Sequence, residues 1–280
     1  MKIPAHGLEA FLALARLKSF TKAARQLGLT QSAFSQRIRN LEDILEASLF
    51  LRGRAGTTLT GAGEKLLRYA QTQEALEEEY LGNREGAGAL RGTIRIGAFS
   101  SVVRSLLLPA IAPVLRENPV HCEVITREMG ELPGLILGGG VDLVLVNQEI
   151  PRAGFIAHFL GFEENVLVRA KKAKNRSDWF LDHNAEDSTT ARYFRASAKR
   201  SFKRRFFDDV YLLIEAVKLG VGEAVLPKHL LDSELEVQNP GQVLREPVWL
   251  IYPEQSYYPK LQQRVIADIQ REFKQHLPQK

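Results

Sequence analysis

Gln31, Ser32, Ser35 and Gln36 lie in the run TQSAFSQRIRNLEDIL, where Phe34, Ile38, Leu41 and Leu45 recur at i, i+4, i+7 and i+11. That spacing predicts one helix with an apolar stripe on one side and amides and hydroxyls on the other. Amide side chains pair with adenine edges and hydroxyls accept or donate, so the polar side carries the chemistry of base reading in a major groove. Thr30, Arg37 and Arg39 stand beside these residues with donors suited to phosphate oxygens. Arg52 and Arg54 sit in RGRAGTTLT, a basic, glycine-containing segment that predicts a hairpin able to lie over a groove as a wing.

A preceding helix must hold that face outward. Phe20, Ala23, Ala24 and Leu27 fall at helical spacing, Gly28 supplies a permissive backbone for a sharp turn, and Thr30 stands where an N-cap belongs. The same residues also suit an ordinary amphipathic helix pair in a bundle, and the charge distribution favours the DNA reading. Residues 1–68 hold eleven Lys and Arg against five Asp and Glu, in a chain of net charge +5. A basic surface of this kind attracts polyanions. Residues 60–81 contain no proline and place Leu66, Leu67, Ala70, Leu76 and Tyr80 on one stripe of a long helix, ahead of a glycine-rich linker at 82–92.

Beyond the linker the pattern changes to alternating strands (93–98, 120–126, 141–146) and helices (106–117, 132–137), which predicts an α/β unit with a mainly parallel sheet. A second unit spans about 161–240. Its strands are expected near 165–169, 179–182 and 223–226 and its helices near 187–196 and 209–219. A returning strand at 248–252 and a last helix at 260–276 complete it. In residues 169–205 twelve Lys and Arg face four Asp and Glu. This basic run reads as a solvated helix face with a charge-guarded edge strand, or else as a further contact with phosphates or an anionic ligand.

Several function classes are excluded. No apolar run reaches the roughly 20 residues that span a bilayer, and the N-terminus lacks an export signal, so no membrane role and a cytoplasmic location are expected. The single cysteine, Cys122, permits no internal disulfide and sits among strand-forming neighbours. Gly138-Gly139-Gly140 lacks the Gly-Lys-Ser/Thr ending of a phosphate loop, Gly220-Val221-Gly222 precedes strand-like residues, and the six histidines show no metal-ligand spacing. No catalytic residue, metal or cofactor is expected. An exported solute-binding protein would share a two-lobed fold, yet would carry a signal and no basic helix-turn-helix.

The order of Ala23-Ala24, TQSAFSQRIRNLE, Leu49-Phe50 with Arg52, and Leu59-Thr60-Gly61-Ala62-Gly63 resembles the N-terminal domain of LysR-type transcriptional regulators. Residues 31–42, 76–82 and 107–115 resemble the branch that responds to lysine or arginine, although Ser101 stands where that branch carries an acidic residue. The resemblance implies an all-α winged helix-turn-helix at 1–60, a linker and dimerisation helix with hinge at 61–92, and an effector domain at 93–280. The last is an α/β, two-lobed fold like that of periplasmic binding proteins, with lobe 1 at about 93–160 and 253–280 and lobe 2 at about 161–252. It further implies a bacterial homodimer or homotetramer on promoter double-stranded DNA. A small-molecule effector, such as an amino acid, would sit between the lobes, with effects on RNA polymerase access.

Carried onto this chain, the cleft residues of that family are Phe99, Ser100, Ser101, Val102, Asn147, Gln148, Asp182, His183, Thr189, Asp208 and Asp209. Ser100 and Ser101 would open a helix whose free N–H groups suit a carboxylate, and the aspartates would meet an ammonium or guanidinium. Arg52→Ala is expected to weaken binding to every DNA sequence and to lower the salt slope by about one. Gln31→Ala is expected to cost about 1–3 kcal/mol on the preferred site and little elsewhere. Fluorescence anisotropy on the gene's own upstream DNA and on random DNA checks both, and equal losses on the two DNAs for Gln31→Ala would remove its base-reading role.

Overall fold

The computed structural model describes residues 3–53, 56–82, 89–173, 177–195 and 202–280. Three helices, α1 (Ala5–Leu17), α2 (Phe20–Gln26) and α3 (Gln31–Leu45), pack through Phe11, Leu14, Ala23, Phe34, Ile38 and Leu41, all buried. The Phe20 ring meets Phe34 edge-on at 5.9 Å. Caps set the boundaries: the Ser19 hydroxyl accepts the Lys22 N–H and the Thr30 hydroxyl accepts the Ala33 N–H, while Gly28 turns the chain at φ +64°. Strands β1 (Phe50–Gly53) and β2 (Gly56–Leu59) form the antiparallel wing, with Arg52 opposite Thr57. Arg54 lies outside the described residues.

Thr60 then starts the long helix α4 (Gly61–Gly82), its hydroxyl accepting the Gly63 N–H at 3.0 Å and donating to the Ser48 carbonyl at 2.6 Å. Tyr69, Leu76 and Tyr80 of α4 are exposed. Glu64 of the same helix pairs with Arg152, which ties α4 to the second half of the chain.

That half is built on one mixed sheet. In lobe 1, β3 (Thr93–Ala98) pairs in parallel with β4 (His121–Thr126) and β5 (Leu143–Val146). Between β3 and β4 a helical rod begins at Ser100, ahead of the expected start at 106: α5 (Ser100–Val102) passes through a π-turn (Val103–Leu107) into α6 (Leu108–Glu117). Helix α7 (Leu132–Leu137) leads into β5. In lobe 2, β7 (Trp179–Asp182) pairs in parallel with β8 (Lys203–Phe206) and β9 (Glu223–Pro227), flanked by α8 (Thr189–Tyr193) and α9 (Val210–Lys218). Strand β8 gives part of the basic run an edge-strand place, and residues 196–201 of that run lie outside the described residues.

Two antiparallel strands join the lobes, which corrects the expectation of a mainly parallel sheet. Strand β6 (Phe155–Ala170) and β11 (Leu244–Pro253) pair along the whole length of β11, while β10 (Leu235–Val237) adds to the far end of β6. The first stretch of β6 escaped a reading confined to 165–169, because His158, Gly161 and Glu163 interrupt its apolar alternation. Helix α10 (Lys260–His276) covers lobe 1 through Leu261, Val265, Ile269 and Phe273.

The register slips where the lobes meet: Trp249 stands opposite Phe159 but Val248 opposite Gly161, leaving Leu160 as a bulge. The C-terminal tail satisfies the groups that the bulge strands, since Phe162 N–H donates to the Pro278 carbonyl at 2.8 Å and Gln279 Nε2 donates to the Leu160 carbonyl at 2.9 Å. Gly161 has φ +133°, and a Cβ there would stand 2.7 Å from the Leu277 Cβ and 3.0 Å from the Pro278 carbonyl oxygen. Gly161→Ala is therefore expected to destabilise the protein by about 1–3 kcal/mol, read from the urea midpoint. An unshifted midpoint would show that the tail and bulge relax freely.

Candidate functional site

The first candidate surface is the outer face of α3. Gln31, Ser32, Gln36 and Arg39 are exposed, and Ser35 and Arg37 are half-buried beside the apolar stripe. The face is partly preorganised by its own contacts. Arg39 donates twice to Gln36 Oε1, at 3.2 and 2.7 Å, and Gln36 Nε2 donates to Asn40 Oδ1 at 2.7 Å, which holds the Gln36 amide in one orientation. Exposed Thr30 and Ser32 share a hydrogen bond of 3.1 Å at the start of the helix.

The second is a cleft of about 530 Å³ between the lobes. Lobe 1 contributes Phe99, Ser100 and Ser101 after β3, residues 127–130 after β4, and Asn147 after β5. Lobe 2 contributes Asp182 and His183 after β7, Thr189 and Arg192 of α8, Glu163 and Asn165 of β6, and Glu246 of β11. Of the residues expected there, Phe99, Ser100, Ser101, Asn147, Asp182, His183 and Thr189 come together in the lining. Four lie outside it. Val102 is on the core side of the rod and fully buried, Gln148 is exposed beyond Asn147, Asp208 is exposed, and Asp209 caps α9 by accepting the Tyr211 and Leu212 N–H groups.

Asp182 proves to be committed. It is buried, Thr190 donates to its Oδ1 at 2.6 Å, and Arg204 donates to its Oδ2 at 2.5 Å. The same guanidinium also donates to the carbonyls of Asn184, Ala185 and Asp187, so the pair shapes the loop rather than offering a charge to the cleft. Asp187 accepts the N–H groups of His183 at 3.0 Å and Thr189 at 2.8 Å. Burial pushes its carboxyl up, yet hydrogen bonds from the Thr189 side chain and these two amides outweigh burial and leave it below the usual carboxylate range.

Sequence reasoning missed five of the cleft carboxylates, Glu128, Glu163, Glu186, Asp187 and Glu246; of these Glu163 and Glu246 stand directly opposite each other on β6 and β11. Glu163 is 5% exposed; its Oε1 takes the Ser101 hydroxyl at 2.6 Å and His229 Nε2 at 2.9 Å. Glu246 is bridged to Arg192 at 2.6 Å. Burial holds its carboxyl above the usual range; Arg192 opposes this, and the charges of Glu163 and Asp187 add to it. The sequence marks Glu163 only as one of two adjacent glutamates, Glu163-Glu164, just ahead of the strand expected at 165–169. His183 Nδ1 is buried without a hydrogen-bond partner at the cleft wall.

Among the described residues no group of three or more His, Cys, Asp or Glu is placed to hold a metal ion, and no helix is long and apolar enough to cross a membrane. Cys122 is half-buried on edge strand β4, where burial pushes its thiol up, away from the reactive thiolate.

Residues 6–64 match the bacterial regulatory helix-turn-helix protein of the lysR family, and residues 87–274 match the LysR substrate binding domain. The chain is a LysR-type transcriptional regulator. It is 28% identical over 233 residues to the HTH-type transcriptional regulator YofA of Bacillus subtilis, covering 81% of this chain and 82% of YofA. Its fold matches full-length LysG of Corynebacterium glutamicum with bound effector Arg, with TM-score 0.75 and 17% identity over 99% of this chain and 100% of LysG. It also matches ArgP of Mycobacterium tuberculosis, with TM-score 0.76 and 21% identity over the whole of both chains. LysR-type regulators are DNA-binding proteins rather than enzymes; they recognise promoter DNA, bind small-molecule effectors and oligomerise.

The lowered Asp187 carboxyl has a sign that can be tested. Its contribution to stability is present above the unfolded pKa, ordinarily about 4, and is lost as pH falls through the lower folded value. Asp187→Asn is expected to flatten the acid limb of a plot of urea midpoint against pH below about 4. An acid limb as steep as that of the parent would remove Asp187 as its source.

Proposed function

We propose that this LysR-type regulator responds to a cationic amino acid held in the interlobe cleft. The observation that carries this reading is the charge of the lining. Six carboxylates (Glu128, Glu163, Asp182, Glu186, Asp187 and Glu246) line the cleft, against Arg127 and Arg192 in the lining and Arg204 paired with Asp182, so negative charge exceeds positive even with all three arginines counted. Arg127 is turned onto its own Thr126 carbonyl, and Arg192 is spent on Glu246. A cleft so charged favours a ligand that brings positive charge, and Glu163, held by a hydroxyl and an imidazole, is the carboxylate best set to receive an ammonium or guanidinium. At the lobe 1 wall, the start of the helical rod at Ser100 and Ser101 offers backbone N–H groups to the α-carboxylate. Support also comes from the relatives, since LysG was solved with bound Arg.

In this reading Gln31, Ser32, Ser35 and Gln36 read bases, while Thr30, Arg37, Arg39, Arg52 and Arg54 hold phosphates. The exposed Tyr69, Leu76 and Tyr80 of α4 meet a second copy, which places two recognition helices on one face of a two-fold operator. Effector binding then biases the arrangement of the DNA-binding units through its different affinity for each, and so alters RNA polymerase access in the cytoplasm.

The test is anisotropy on the gene's upstream DNA and on random DNA, with and without L-arginine or L-lysine. The expected outcome is a sequence preference whose midpoint moves by about five-fold or more with one of the two amino acids. Glu163→Gln is expected to abolish the response and leave the preference. A response undiminished in Glu163→Gln would overturn the assignment of the cationic seat.

A further inference from the structure

The helical rod after β3 carries an irregularity that the function above does not use. At Val103–Leu107 the helix widens to a π-turn, in which the Leu108 N–H bonds the Val103 carbonyl. Pro109 explains why. In an α-turn its ring would collide with the Ser105 carbonyl, and it has no N–H to offer that oxygen, so a wider turn relieves both problems. Single π-turns of this kind are rare within α-helices and occur frequently at functional sites.

Side chains around this turn meet lobe 2. Val102, Leu106 and Leu107 stay in the lobe 1 core, and Leu108, which an unbroken helix would align with Ser101, Arg104 and Ser105, is turned out and half exposed. Ser101 donates to Glu163 of β6. Ser105 Oγ lies 2.8 Å from His229 Nδ1 in the turn Lys228–Leu230 after β9. His229 Nε2 is 2.9 Å from Glu163, and against a carboxylate that nitrogen must carry a hydrogen. The Tyr211 hydroxyl of α9 donates to the Ser100 carbonyl at 3.4 Å, and the Arg104 guanidinium stands 5.1 Å from the centre of the Tyr211 ring. One turn of lobe 1 thus touches three separate elements of lobe 2.

We propose that this π-turn is the latch of the interlobe cleft: it registers Ser101, Arg104 and Ser105 onto Glu163, Tyr211 and His229, and its contacts must break for a ligand to enter or leave. Arg104, Ser105, Tyr211 and His229 are not part of the cleft lining, so they act on a ligand through closure rather than contact. Ser100, Ser101 and Glu163 belong to both latch and lining, so opening the latch also takes apart the wall where the ligand sits. The regulatory meaning of the latch rests on the effector reading above, while its existence does not.

The experiment therefore uses no ligand. Spin labels are placed on the full-length chain by Arg116→Cys in lobe 1 and Leu219→Cys in lobe 2, both exposed, on a Cys122→Ser background diluted with unlabelled chain. Pulsed dipolar spectroscopy then reads the lobe separation. Ser105→Ala is expected to raise the ratio of open to closed distances roughly five-fold, the effect of one net hydrogen bond, and Arg104→Gln/Ser105→Ala to raise it further. Pro109→Ala, which removes no latch side chain and restores a regular helix, is expected to open the lobes as well. If Ser105→Ala melts, His229→Leu removes the same bond from the other lobe. A distance distribution identical to the parent's in the double variant or in Pro109→Ala overturns the proposal, whether or not arginine proves to be the effector.

Discussion

The antiparallel ladder between β6 and β11 is the constraint on which the effector half depends, because both strands belong to both lobes. Their hydrogen bonds give each lobe a pair of central strands and leave the passage between lobes as the place where the ladder is broken, at Leu160 and Gly161 opposite Val248. A bulge concentrates bending at one point, and the Leu277–Gln279 segment satisfies the polar groups it would otherwise strand. The same ladder puts Glu163 and Glu246 side by side at the mouth of lobe 2. The bulge and the facing pair Glu163 and Glu246 are therefore neighbours on the same two strands.

Within the cleft, pairing decides which charges are free to act. Arg204 neutralises Asp182 and at the same time satisfies three carbonyls of the following loop, which makes that aspartate a fixture of the wall. Asp187 is occupied by backbone N–H groups. Glu163 is held by a hydroxyl and an imidazole, and Glu246 by one arginine against the push of burial. Of these four, Glu163 alone is oriented by neighbours other than an arginine or backbone amides, the condition under which a bound cation gains most.

The DNA-reading half works by a different economy. Its core is three short helices held by Phe11, Phe34, Ile38 and Leu41, with Ser19 and Thr30 fixing the helix starts, so the polar face of α3 is presented by a small rigid support. The link to the effector half runs through α4, anchored at Thr60 and clasped by Arg152 at Glu64. Lobe 1 is thus in contact with the first turn of the helix that follows the DNA-binding unit.

Local features were legible from the residues alone. The recognition helix, its cap at Thr30, the wing, β3, α7, β7 and α10 follow from periodicity and turn chemistry, which act between residues a few positions apart. Helix α1 carried the same kind of signal in Leu8, Phe11 and Ala15 and was there to be read. What periodicity could not supply was any relation between distant segments. Ser101 meets Glu163 across 62 positions and Ser105 meets His229 across 124, and nothing in either neighbourhood announces the other. Asp209 is claimed locally, by the amides two and three residues on, whereas Asp182 looks available until Arg204 arrives from β8. Short-range order is written by backbone sterics and apolar spacing, whereas the choice of which charge is free depends on long-range packing that brings its partner to it.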